Sequence, residues 1–130
     1  MRVADAMTTV VLTVGPDHTL RQTARMMTAK RVGSAIVVDP EGSGVGIITE
    51  RDVLYAVGAG LDPDVERTRD HQTAEVVYAS PDWTVTEAAR AMVRGGFRHL
   101  VVLNGDEVLG VISVRDVLRV WAEQQQVVPA

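Results

Sequence analysis

Apolar positions along this chain switch between two periods, and the switch happens twice. Leu20, Thr23, Ala24 and Met27 stand three and four residues apart, which predicts a one-faced helix. Val85, Ala88, Ala89 and Met92 repeat that spacing. Each helix is preceded by a Pro-Asp turn, Pro16-Asp17 or Pro81-Asp82. Short β-branched runs at 35–38 and 100–103 lead into turns bearing Gly, Asn and Asp, and then into Val45–Ile48 and Val108–Ile112. Each set predicts a hairpin buried on at least one face, followed by a second helix.

The two halves agree residue by residue. Gly46-Ile47-Ile48-Thr49-Glu50-Arg51-Asp52-Val53-Leu54 recurs as Gly110-Val111-Ile112-Ser113-Val114-Arg115-Asp116-Val117-Leu118, 64 residues on. Upstream the offset is 65, matching Ala24-Arg25-Met26-Met27 with Ala89-Arg90-Ala91-Met92, and Ile36-Val37-Val38-Asp39 with Val101-Val102-Leu103-Asn104. The one-residue difference falls in the hairpin turn, where an insertion costs least. Each repeat therefore reads extended segment, helix, hairpin, helix, a βαββα order of the α+β class. A repeat of about 60 residues has too little core to stand alone. Two copies packed through their small sheets solve that problem. Gly58 to His71, with Gly60, Pro63 and many charges, reads as the connection, and the polar tail after Glu123 is expected to fray.

Composition narrows the function. At 130 residues and 46% apolar content, one compact domain is expected. Thirteen basic against 17 acidic residues leave a formal charge of −4, which gives no footprint for nucleic acid. Any bound anion needs a local site. The absence of cysteine excludes disulfides, thiolate metal sites and a cysteine nucleophile, and suits a reducing cytoplasm. Asp5 interrupts the place where a signal peptide would begin its apolar run, and no window approaches the ~20 apolar residues of a membrane span. A soluble cytoplasmic protein without membrane contact is expected.

The shared Gly-x-x-[Thr/Ser]-x-x-Asp segment, where a buried strand gives way to a helix, has two readings. The first is a capping box in which Thr49 or Ser113 caps the helix and Asp52 or Asp116 reaches back, worth roughly 1 kcal/mol without any ligand. The second uses the same helix N-terminus as a phosphate seat. Arg51 and Arg115 favour the second, because a guanidinium in the first turn opposes the helix dipole unless an anion or acid compensates. Asp52 and Asp116 would accept from the vicinal hydroxyls of a ribose, as acids do in dinucleotide-binding folds. Phosphate donors and a ribose acceptor within one turn, twice over, point to a nucleotide.

The doubled pattern resembles a pair of CBS domains, the cystathionine β-synthase-type repeat. Its carriers are Ile36-Val37-Val38-Asp39 with Gly46 to Asp52, and Arg98-His99-Leu100-Val101-Val102 with Gly110 to Asp116. The resemblance covers roughly residues 3 to 122. It implies a single stand-alone CBS-pair module over 1–130, with repeat 1 about 3–58, linker about 59–69 and repeat 2 about 70–122. It also implies pseudo-two-fold symmetry, two adenosine-nucleotide clefts, ligands drawn from AMP, ADP, ATP and S-adenosylmethionine, and a disc-like homodimer.

Carried over by position, the resemblance gives the first cleft Asp52 for ribose, Thr49 and Arg51 near the phosphates, and Ile47 against the base. From the second repeat, Val76 and Val77 would flank adenine while Arg98 and His99 reach phosphate. The second cleft would use Asp116, Ser113, Arg115 and Val111 with Val11 and Leu12, but its cross-repeat positions are the small, uncharged Gly33 and Ser34. It is therefore expected to be weaker, empty, or selective for less phosphate charge.

Other candidates read more plainly. His99 has no second ligand at metal spacing beside it, and a phosphate contact or surface donor is expected. His18 and His71 receive no role. Met26, Met27 and Met92 fall on apolar helix faces as core residues. Trp121 reads either as a dimer anchor or as an ordinary core or half-exposed side chain. Gly95 and Gly96 mark a helix stop. No nucleophile–base pair, working acid pair or metal cluster can be assembled. The expected function is a non-catalytic sensor that binds an adenosine nucleotide in the inter-repeat cleft and signals to a separate, unidentified protein. A ligand-free dimerisation or interaction module, or an S-adenosylmethionine-binding pair, are the alternatives.

Overall fold

The computed structural model describes residues 1–9, 12–42, 45–73 and 76–124. The expected tail beyond Gln124, and Val11 among the candidate site residues, lie outside these. The chain is an α+β fold of two β-α-β-β-α repeats, each built on a three-stranded mixed sheet.

The first unit spans Val11–Val76. Its sheet has β1 (Thr13–Val14) parallel to β2 (Ser34–Val38), which pairs antiparallel with β3 (Val45–Thr49). Between β1 and β2 runs α2 (Leu20–Lys30), whose cap is Thr19: its hydroxyl accepts from Gln22 N at 3.1 Å, while Gln22 Oε1 accepts from Thr19 N at 2.9 Å. Helix α3 (Glu50–Gly58) follows β3 directly. Leu20, Met27, Ala35, Val37, Ile48 and Ala56 form the buried core, so the helical stripe read from spacing faces the sheet.

The second unit joins Met1–Val10 to Val77–Ala130. It repeats the plan with β4 (Tyr78–Ala79), α4 (Val85–Gly95), β5 (His99–Asn104), β6 (Glu107–Ser113) and α5 (Val114–Gln124), preceded in sequence by α1 (Val3–Ala6). Helix α4 ends at Gly96 in the left-handed conformation, φ 70°, as its position after the apolar stripe predicts. The equivalent C-cap of α2 is Arg31, which adopts φ 56° without a glycine's freedom.

Each unit borrows the segment that precedes the other repeat. Val3 and Ala6 of α1 are buried in the second unit's core, Val3 N donates to Trp83 O at 2.7 Å, and Thr8 pairs with Val111 through bonds of 2.9 and 3.1 Å. The connection between repeats does the same for the first unit. Leu20 N donates to Glu66 O at 3.0 Å, Thr73 pairs with Ile47 at 2.8 and 3.1 Å, and a 3₁₀ turn (Thr68–Asp70) buries Thr68. The bridges are mirrored at the repeat offset, Arg2 with Thr84 and Arg67 with Thr19. Arg21 pairs with Asp64, and Arg69 with Asp17 at 2.7 Å, which raises both guanidinium pKa values through the shared hydrogen bonds. The charge-rich connection is thus folded onto the first repeat.

Candidate functional site

The two strand-to-helix junctions have the capping geometry that the sequence allows. Thr49 N and Oγ1 donate to Asp52 Oδ2 at 2.8 and 3.0 Å, and Thr49 Oγ1 accepts from Asp52 N at 3.3 Å. Ser113 N and Oγ donate to Asp116 Oδ2 at 2.9 and 3.0 Å, and Ser113 Oγ accepts from Asp116 N at 3.1 Å. Capping occupies one carboxylate oxygen in each case. The other oxygen is where the junctions differ.

Asp52 is half-buried, and no hydrogen bond reaches its Oδ1 among the described residues. Asp116 is 7% exposed, and its Oδ1 accepts from Arg119 Nη2 at 3.1 Å and Thr8 Oγ1 at 3.5 Å. Neither Thr8 nor Arg119 was marked by the sequence reading. Thr8 lies 108 residues from Asp116, so no local pattern joins them. The available hint was the repeat offset, which matches Thr8 to Thr73 and Arg119 to Tyr55.

The remaining candidates fall into two groups. In the first unit, Ile47 is buried, Thr49, Arg51 and Asp52 are half-buried, and Leu12, Gly33, Ser34 and Val76 are half-buried. Ser34 is the register partner of Thr49, and Gly33 O accepts from Glu50 N at 3.0 Å. A Cβ at Gly33 would lie 3.3 Å from Glu50 Oε1, so an acid stands over this glycine. In the second unit, Val111 is buried, Val77, His99 and Ser113 are half-buried, and Arg98 and Arg115 are exposed. His99 is the register partner of Ser113, and Arg98 O accepts from Val114 N at 2.9 Å. Position 114 carries valine where the first repeat has Glu50, so the surroundings of Arg98 lack that acid.

Arg51, Arg98 and Arg115 form no ion pair among the described residues. An unpaired guanidinium beside a helix N-terminus favours an anion there. No group of three or more His, Asp and Glu side chains able to hold a metal ion occurs among the described residues. His18 Nδ1 accepts from Gly15 N at 2.9 Å, and His71 Nε2 lies 2.9 Å from Glu66 Oε1. No helix among the described residues is long and apolar enough to cross a membrane.

Residues 3–59 and 69–123 each match the CBS domain model. The chain belongs to the CBS domain family. An uncharacterized 17.7 kDa protein of Acidianus ambivalens is 35% identical over 120 residues, spanning 91% of this chain and 71% of its own length. Among solved structures, a hexameric CBS-CP12 protein from bloom-forming cyanobacteria is 30% identical with a TM-score of 0.86, over 91% of this chain and 66% of that one. A CBS domain protein from Pyrobaculum aerophilum complexed with AMP is 26% identical, TM-score 0.80, covering 95% and 99%. The CBS domain pair of protein MJ0100, in complex with 5′-methylthioadenosine and S-adenosyl-L-methionine, shares the fold at 20% identity and TM-score 0.84, covering 96% and 98%.

Proposed function

We propose that this CBS pair is a non-catalytic regulatory module that binds an adenosine nucleotide, AMP, ADP or ATP, at the Thr49–Asp52 helix start. The observation that carries the reading is Asp52 Oδ1, which has no donor among the described residues and stands beside a helix N-terminus and an Arg51 that forms no ion pair among them. A capping box alone uses Oδ2 and has no need of the second oxygen or the arginine. Asp52 takes the ribose hydroxyls, Thr49 and Arg51 face phosphate, and Ile47 lies against the base. The AMP bound to the Pyrobaculum aerophilum relative supports this ligand class.

The second helix start, Ser113 to Asp116, is the poorer site, because Asp116 Oδ1 already accepts from Arg119 Nη2 at 3.1 Å. S-adenosylmethionine is the second ligand reading, favoured by its presence in the MJ0100 complex.

The module works as a homodimer. Val114, Leu118 and Trp121 lie exposed on α5 at spacings of four and three, an apolar stripe suited to a second copy. Nucleotide binding shifts the population of module conformations, and a separate protein reads that shift.

Isothermal titration of nucleotide-free protein with AMP, ADP, ATP and S-adenosylmethionine tests the reading. Saturable binding that Asp52→Ala abolishes is the expected result. Absence of heat with all four supports a ligand-free interaction module instead.

A further inference from the structure

A carboxylate has two oxygens and about four acceptor positions. At Asp116 all four are taken: Ser113 N and Oγ donate to Oδ2 at 2.9 and 3.0 Å, and Arg119 Nη2 and Thr8 Oγ1 donate to Oδ1 at 3.1 and 3.5 Å. At Asp52 the Oδ2 pair is the only one among the described residues. The repeat offset places Tyr55 where Arg119 stands and Thr73 where Thr8 stands, and neither bonds Asp52. Tyr55 is 65% exposed.

Arg119 Nη2 also donates to Ala6 O at 2.8 Å, so one guanidinium holds both the acid and the end of α1. A ribose that took Asp116 Oδ1 would replace a cationic guanidinium donor by uncharged hydroxyl donors on the same carboxylate, and would release Ala6 as well. We propose that Arg119 reserves Asp116 for the fold and so limits each chain to one nucleotide, held at Asp52. Arg119 is a positioning residue that determines the number of sites. This rests on the reading of Asp52 as the ribose acceptor.

The test counts sites by isothermal titration with AMP and with adenosine, which removes the phosphate term. The variants are Arg119→Tyr, copying the first repeat, Asp52→Ala, and the two combined. Arg119 is half exposed, and circular dichroism verifies that each variant keeps the fold. Wild type is expected to bind one ligand per chain, Arg119→Tyr two, and the double variant one. Wild type with two sites, Arg119→Tyr with one, or a silent double variant overturns the inference and leaves the Asp52 site standing. A silent wild type overturns the Asp52 reading; in that case binding by Arg119→Tyr upholds the role of Arg119, and its silence removes that too.

Discussion

Thr68 and Thr23 share a hydrogen bond of 2.8 Å in the interior of the first unit, and both residues are fully buried. Thr68 Oγ1 also donates to His18 O at 2.9 Å, so the inter-repeat connection is fastened into the core by a hydroxyl pair. At the repeat offset the second unit has Val3 and Ala88, both buried in its apolar core. Two packings of one design therefore coexist, one polar and one apolar.

Thr68→Val should destabilise the protein by about 1–3 kcal/mol, because it strands the buried Thr23 hydroxyl and removes one of the two donors to His18 O, which keeps the Thr68 backbone N–H. Adding Thr23→Ala, which copies the Val3–Ala88 pair, should recover part of that loss. Urea denaturation of both single variants and the pair gives the coupling. Strict additivity would sink the idea that the hydroxyls act as a unit.

The α2 C-cap makes a prediction of opposite sign. Arg31 sits at φ 56°, where Gly96 sits at φ 70° in the second repeat. Arg31→Gly should stabilise by up to about 1 kcal/mol and Gly96→Arg should destabilise by a similar amount, since an L side chain is strained there. Thermal melts decide, and a lower melting temperature for Arg31→Gly contradicts the argument.

Gly110 and Gly46 are equivalent in sequence but not in surroundings. A Cβ at Gly110 would collide with the Thr8 carbonyl oxygen, a backbone atom held in its bridge to Val111, whereas at Gly46 it would meet the Gln72 side-chain amide. Gly110→Ala should cost about 1–3 kcal/mol and loosen residues 1–9, while the movable Gln72 end keeps the cost of Gly46→Ala smaller. Amide hydrogen exchange over the N-terminal segment checks this. Equal effects at both sites would falsify it.

For the proposed ligand, Arg51→Ala should weaken AMP binding by about tenfold or more, the loss of one charge-assisted bond. Adenosine binding should change little. A parallel loss for adenosine would show that Arg51 supports the helix and does not meet phosphate. Raising salt should reduce the AMP difference.

Ligand linkage supplies an independent measure. AMP at one hundred times its dissociation constant should raise stability by about 2.7 kcal/mol in wild type. Asp52→Ala should lose this gain while its own cap loss stays near 1 kcal/mol. A melting temperature that AMP leaves unmoved in wild type argues against the nucleotide reading.

Features that depend on neighbours along the chain are written in its spacings. Helical stripes, alternating strands, the duplicated order and both capping boxes follow from spacings of two to four residues, and backbone geometry turns those spacings into faces and caps. The contrast between Arg98-His99 and Gly33-Ser34 was legible for the same reason, once the repeats were set against each other. Tertiary structure alone decided which repeat each connecting segment completes, because α1 and the 3₁₀ turn carry too few apolar residues to announce a partner. It also decided the fate of Asp116. The capping motif is nearly identical at Asp52, and the difference lies in Thr8, which only folding brings to Asp116 from 108 residues away, and in an Arg119 whose donor has no meaning until that acid is buried.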